Sequence, residues 1–410
     1  MFTSKPNKRH AVKVISTLSW GALIACGMNA HAAENFKLRQ APLGSFGGDI
    51  ATPADNPGFF GTASLTQITI DGIKGPTGQA YTKPTGITDL SLSGLATIKQ
   101  NATPPDATLA NALAGNPGLR PMLVTIDDTK VSFKQDQTVV NIAVGYLTET
   151  KYAEGRIAFV ANVPLVKQSR TTIFTPSNVR FSATQPQYAS YQATVSGLIN
   201  PANASAATAA SNTATGEAAG LGDTELSTVW VRHTGPLKVA AGISVFVPTG
   251  KYDVARDNAF QANPGFGNFY TIRPGVAFTY NLNPSQTGKD WDSGVTVAGR
   301  IAYGMNTENK DSHYKSGNFV YAEGAVVKVS GDWAGGLNLF STQQVTDDTY
   351  SGTEASKVIN GRFKSLGGGP FISYKIPGQD AGLNFQMNTN FQGRNAISAK
   401  SYQVRLIKAF

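Results

Sequence analysis

One cysteine, Cys26, and four histidines stand in 410 residues, so thiolate catalysis, disulfides and histidine-rich metal sites have almost no material to work with. Long apolar runs are equally scarce. A helix that crosses a bilayer needs about 20 apolar residues. The one apolar stretch of note, Val14 to Cys26, is shorter and carries Ser16, Thr17 and Ser19. A membrane protein made from this chain is therefore not helical. Charge of one sign is thin as well: the formal charge is +9, Lys5, Lys8, Arg9 and Lys13 supply four of it, and about +5 is left scattered downstream. That is not the clustered Lys and Arg of a nucleic-acid binder.

What is present begins with an export signal. The four early cations precede the apolar stretch, and Ala30-His31-Ala32 then puts small residues at the two positions a signal peptidase reads. Residues 1–32 are expected to be removed and the mature chain to start at Ala33. Leu23-Ile24-Ala25-Cys26 also has the shape of a lipoprotein cleavage box, which would acylate Cys26 and leave Ala-His-Ala without a purpose.

Alternation decides the fold. Leu383, Phe385, Met387, Thr389 and Phe391 interleave with Asn384, Gln386, Asn388, Asn390 and Gln392, so one face is mostly apolar and the other entirely amide. The same period of two runs through Val239, Ala241, Ile243, Val245 and Val247, and through Val295, Val297, Ile301 and Tyr303. A strand with lipid on one side and a watery lumen on the other needs this pattern. Twelve such segments are predicted: 59–70, 139–149, 155–166, 223–234, 236–248, 269–282, 292–305, 316–329, 332–346, 360–376, 379–392 and 398–410. The fold class is all-β, a transmembrane antiparallel up-and-down barrel spanning 59–410, with residues 33–58 as a periplasmic, plug-like segment before it.

The connections alternate in length. Gly235-Pro236, Ser330-Gly331 and Pro377-Gly378-Gln379 are tight turns, with longer links at 150–154 and 283–291. Between them lie long loops, above all 71–138 and 167–222. Barrels of this kind keep short turns in the periplasm and long loops outside, which places the chain in a bacterial outer membrane with both termini periplasmic. Asp106 to Ala114, after Pro104-Pro105, reads as a short helix. Residues 202–219, nearly all Ala, Ser, Thr, Asn and Gly, are expected to be mobile.

The closing strand places Tyr402, Val404, Leu406 and Phe410 on alternate positions, with Lys408 the exception, a pattern expected to be read by the barrel-assembly machinery. The opposite phase directs Arg156, Asp223, Glu225, Arg273, Arg300, Glu323, Asn384, Gln386, Asn388 and Arg405 toward the lumen, joined by Asn162 and Asn338. Twelve strands should leave only a narrow, obstructed passage. Gly367, Gly368, Gly369 and Pro370 interrupt one strand; Pro370 lacks a ladder donor, so the wall should be weak there, either as a bulge or as a sideways exit for ligand into lipid. Lys251-Tyr252-Asp253 is a candidate capture point. An esterase would need a serine beside a histidine base, yet His233 and His313, the histidines beyond the signal, fall at a turn and in a loop. No catalytic residue, cofactor or metal is expected; the Asp347-Asp348 pair reads as solvated loop carboxylates.

Several blocks resemble the outer-membrane family called the MetA-pathway of phenol degradation family: Gly47-Gly48-Asp49-Ile50-Ala51-Thr52-Pro53, Pro57-Gly58-Phe59-Phe60, Leu221-Gly222-Asp223 and Val247-Pro248-Thr249-Gly250-Lys251-Tyr252-Asp253. Asn306-Thr307-Glu308-Asn309, Tyr314-Lys315-Ser316-Gly317, Thr346-Asp347-Asp348 and Gly393-Arg394-Asn395 follow in the same order. The resemblance implies a barrel in the outer-membrane lipid that takes up apolar or aromatic small molecules. The alternative is a non-transporting surface barrel whose long loops bind or adhere.

Overall fold

The computed structural model describes residues 34–36, 38–39, 57–101, 106–282, 293–352 and 361–410. The predicted signal and the Gly47 to Pro53 block lie outside the described residues. The described chain divides into two compact units, the larger holding a barrel and the smaller formed by 85–127 and 178–206.

Each barrel strand puts apolar side chains on one face and polar or small ones on the other, and that period of two is what folds it. The twelve strands are β1 (Gly58–Lys74), β2 (Thr129–Leu147), β3 (Arg156–Thr175), β4 (Thr224–Thr234), β5 (Leu237–Val247), β6 (Thr271–Asn281), β7 (Ser293–Asn306), β8 (Phe319–Ser330), β9 (Trp333–Gln344), β10 (Lys364–Ile376), β11 (Ala381–Arg394) and β12 (Ala396–Ala409). Every strand pairs antiparallel with its neighbours in sequence, and β12 closes on β1 from Phe60 opposite Ala409 to Lys74 opposite Ala396. Closure matters because each unpaired backbone group facing hydrocarbon costs several kcal/mol.

All twelve predicted segments are strands, and the difference is in length. β1 runs to Lys74, β2 starts at Thr129 and β3 runs to Thr175, so the loops expected at 71–138 and 167–222 are shorter than predicted. In these extensions polar residues stand on the outer face, as with Lys130, Ser132 and Lys134 on β2, so the apolar alternation that marks a spanning strand is missing there. The stretch 202–219 is a second correction. It is not irregular: a helix covers Gln192–Thr213 and a short strand, Gly216–Leu221, pairs with β3. Alanine has the highest helix propensity, and Ala206, Ala207 and Ala214 are buried, so a composition poor in bulk still packs through its small faces.

Exposed apolar side chains belt the barrel, among them Leu337 at 64% and Leu339 at 58% exposure on β9, with Phe278, Ile301, Val326 and Phe385 on other strands. Such a continuous apolar band cannot face water and defines a transmembrane barrel. Turn glycines Gly235, Gly331 and Gly378 take positive φ at the short links. Phe410 is 79% exposed; its backbone N–H donates to the Phe59 carbonyl at 2.9 Å, and the Lys408 ammonium stands 5.8 Å from its ring centre.

The smaller unit has a three-stranded sheet, Ile87–Ser91, Leu123–Ile126 and Val179–Phe181, with helices α1 (Leu92–Gln100) and α2 (Thr108–Gly115). Ser91 caps α1 by accepting from the Gly94 N–H at 3.1 Å. Leu92, Leu95, Leu109, Leu113, Met122, Val124 and Ile199 form its core. Only the second helix was predicted. The rest was read as loop because the apolar periods are short and Val179–Phe181, which completes the sheet, follows two barrel strands later in the sequence.

Candidate lumen site

Register orders the lumen along its axis. On β8 the inward residues run from Val329 and Val327 through Ala325, Glu323 and Tyr321 to Phe319, with Ala298, Arg300 and Ala302 of β7 opposite the middle three. Toward the short-turn end, Val327, Val329, Ala298, Ala325 and Phe371 pack into an apolar cluster. Toward the long-connection end, Phe319, Tyr321, Phe340, Phe363 and Ala396 pack with Leu38 from the segment before the barrel. Between these layers the Arg300 guanidinium donates to Glu323 at 2.6 Å, and the Tyr321 hydroxyl donates to the same carboxylate at 2.7 Å.

The remaining predicted lumen residues sit as follows. Arg273 pairs with Glu225 and lies 5.1 Å from the Phe246 ring centre. Arg405 donates to Gln403 at 2.7 Å, and Gln403 in turn to Thr66 at 2.8 Å. Asn384 donates to Ser373 at 2.9 Å, while Gln386 and Asn388 are buried on the same inward face. Arg156 is half-buried at the start of β3. Thus Arg300 meets Glu323 across adjacent strands, Arg273 reaches Glu225 across the intervening β5, and Asp223 is met by Arg39, so these charges stand as opposite-sign pairs and not as a ring of one sign. Such pairs retain little net stabilisation after desolvation, but removing one partner strands a buried charge.

Asp223 has the fullest set of partners. Its carboxylate accepts from the Gly250 N–H and the Phe266 N–H, each at 3.0 Å, and from Arg39 Nε at 2.9 Å. Arg39 also donates to the carbonyls of Gly267 and Phe269, stacks 3.8 Å from the Phe269 ring centre and is 2% exposed. Glu34 accepts from Asn309 at 2.9 Å, and its N–H donates to Ser316. Glu34, Leu38 and Arg39 are therefore held against the inward face of the barrel by hydrogen bonding, ion pairing and apolar packing. Arg39 itself was not singled out from sequence, because its partner is 184 residues away.

The connection after β5 folds inward, which sequence reading also missed. Asp253 caps a short helix, Val254–Asn258, by accepting from Ala255 and Arg256 N–H groups. The chain then returns as Asn263-Pro264-Gly265-Phe266, with Asn263 N–H donating to Gln168 at 3.0 Å and Arg170 donating to the Gln261 carbonyl at 2.8 Å. Gly250 and Gly265 meet backbone to backbone: a Cβ on Gly250 would lie 2.7 Å from Gly265 Cα. Tyr252 donates to Asp257 at 3.4 Å, and burial, followed by the Asp257 charge, raises its phenol above the ordinary value. Lys251-Tyr252-Asp253 thus builds the loop.

Beneath Arg39 and this loop lies a lumen pocket of about 190 Å³. Ile68, Val139, Pro164, Val166, Phe246, Pro264 and Phe266 give it apolar walls, and Gln137, Asn388, Asn390 and Gln403 give it amides. Gly367 to Pro370 do not line it. They let two backbones close: a Cβ on Gly368 would meet the Asn338 carbonyl at 2.3 Å, and one on Gly369 the Met387 carbonyl at 1.8 Å. The ladder to β11 shifts register between Leu366 and Gly367 and skips Gly369 and Pro370. The bulge lies where the stretch begins, with its extra residue on β11, and bulky replacements at Gly368 or Gly369 would meet backbone and disturb folding.

Among the described residues no three of His, Cys, Asp and Glu converge as a metal site. His313 lies 3.5 Å from Glu308 in a connection, and His233 is on β4.

A closed barrel with an apolar outer belt and an interior of paired charges and amides defines a transmembrane β-barrel. Residues 127–406 match the family described as the MetA-pathway of phenol degradation, and the chain belongs to that family. It is similar in fold to an outer-membrane channel from Pseudomonas putida F1, with a TM-score of 0.52, 11% identity, and 90% of this chain and 100% of that chain covered. The beta domain of the Bordetella autotransporter BrkA (TM-score 0.39, 10% identity, 87% and 100% covered) and the monoaromatic hydrocarbon channel CymD (0.35, 11%, 95% and 97%) are more distant. No curated protein matches the sequence.

Proposed function

We propose that this chain is an outer-membrane channel for uptake of small apolar or aromatic molecules, with the long connections outside and both termini periplasmic. The observation that carries it is the lumen pocket of about 190 Å³. An apolar cavity of about 150 Å³ is enough to hold benzene. Phe246, Phe266 and Val166 supply the contact a ring needs, and Asn388 and Gln403 the partners for a hydroxyl. Membership of a phenol-degradation family supports the same substrate class. Arg39 on Asp223 closes the pocket, and its release is the natural opening step.

The test is uptake of phenol into liposomes holding the purified barrel, compared with a sugar that has no apolar face. Wild type should favour phenol, and Val166→Trp, which fills the pocket from a lining position, should remove that preference at equal barrel yield. Equal phenol uptake by a folded Val166→Trp barrel would end the proposal. The folded unit built from 85–127 and 178–206 favours a second reading, a surface barrel that binds through its loops. Liposomes in which wild type passes no solute would leave that reading standing.

A further inference from the structure

A second cleft, of about 350 Å³, opens on the barrel wall at the long-connection end, lined by Lys74, Lys364 and Arg394 together with Leu366 and Phe391. Backbone geometry builds it. The register shift between Leu366 and Gly367 sets Gln392 opposite Leu366 and Asn390 opposite Gly367, so Phe391 is the extra residue of a bulge. Phe391 is 55% exposed. On the other side a turn at Gly75 to Gln79, with Gly78 at φ +88°, is tied to the β11–β12 hairpin by the Asn395 N–H donating to the Gly75 carbonyl at 3.2 Å. Lys364 and Arg394 are directly opposed in register, and a Cβ on Gly393 would meet the Lys74 stem at 3.4 Å.

The three cations converge on one cleft whose lining holds no carboxylate, and among the described residues none of them makes an ion pair. Like charges so placed repel unless an anion joins them, and Arg with Lys is the donor set that suits phosphate. Leu366 and Phe391 give the same cleft an apolar part, and the exposed Phe391 continues the outer belt. An anion with an attached hydrocarbon chain satisfies both parts; a free anion satisfies only the first.

We propose that this cleft binds the phosphate of a phosphorylated lipid headgroup, with an acyl chain over Leu366 and Phe391. Which leaflet supplies the lipid rests on the orientation proposed above; binding in micelles does not. The test is native mass spectrometry of the purified full-length barrel titrated with diphosphoryl lipid A, its dephosphorylated form, or inorganic phosphate.

Wild type should retain one phosphorylated lipid with at least a tenfold preference over the dephosphorylated form. Lys74→Gln/Lys364→Gln/Arg394→Gln should lose at least tenfold, while Lys74→Arg/Lys364→Arg should retain it. Should the triple variant fail to give the heat-modifiable folded band, Lys364→Gln alone, an exposed side chain, gives the same reading with a smaller loss. Undiminished binding by a folded Gln variant, or no preference for the phosphorylated lipid, overturns the proposal. Displacement by equimolar inorganic phosphate also overturns it, in favour of a free anion. Failure here with intact phenol uptake leaves the channel reading untouched.

Discussion

The two units follow opposite rules of burial within one chain. The smaller one hides Leu92, Leu95, Val124 and Ile199, all at most 1% exposed. The barrel hides Asn338, Asn384, Gln386 and Thr342 just as completely and exposes Leu337, Leu339 and Val326. Neither rule is about the residue type; both are about the medium on the far side of the backbone. Where water surrounds an element, apolar groups turn in. Where hydrocarbon surrounds it, they turn out, and polar groups are left to satisfy one another in the lumen.

The largest effect that would sharpen this contrast is Leu95→Ala in the smaller unit. Removing a fully buried leucine costs both transfer energy and a cavity, about 2–5 kcal/mol. Amide exchange should accelerate across 92–100 and 123–126 while the heat-modifiable barrel band is unchanged. Unaltered exchange would mean that these contacts do not carry the unit's stability.

Next comes a neighbouring pair on β9. Leu337→Arg puts a charge in the middle of the apolar belt and should cost about 2–4 kcal/mol in urea unfolding from lipid vesicles. Asn338→Leu, one residue on, faces inward, and its amide atoms make no hydrogen bond among the described residues. That change should cost under ~1 kcal/mol, because no partner is left unsatisfied. Equal costs for the two would break the assignment of inner and outer faces.

How much was legible follows from the same contrast. The outer face repeats every second residue, and any apolar side chain serves, so twelve strands could be read locally from runs such as Leu383 to Phe391. The inner face was legible as residue identities but not as pairs. Arg273 and Glu225 are 48 positions apart, and Arg39 and Asp223 are 184 apart, distances at which no local pattern carries information. The pocket was hidden for that reason, since Pro264 and Phe266 reach it from a loop whose inward path depends on Gly250 meeting Gly265. Gly367 to Pro370 were visible as an irregularity, but composition could not say whether the backbones there part or close; they close.

The smallest effect concerns the carboxylate that anchors the smaller unit's second helix. Asp106 accepts from the Thr108 N–H at 2.9 Å, and its other oxygen stands 3.5 Å from the ammonium of Lys99, whose side chain is 2% exposed. The Thr108 hydrogen bonds, more than Lys99, hold the Asp106 carboxyl below its ordinary value. A carboxyl whose folded value is depressed contributes stability that is fully present above the unfolded value and is lost as pH falls through the folded one. The window therefore opens just below about pH 4. Because Asp106 is about one-third exposed, the contribution is screened and should be ~1 kcal/mol or less. Asp106→Asn should bring exchange at neutral pH in 92–100 and 108–115 close to the level wild type reaches in acid, and its own exchange should change less between pH 6 and pH 3. If wild type and the variant lose protection in parallel over that range, other carboxylates control the acid response and Asp106 is only a local cap.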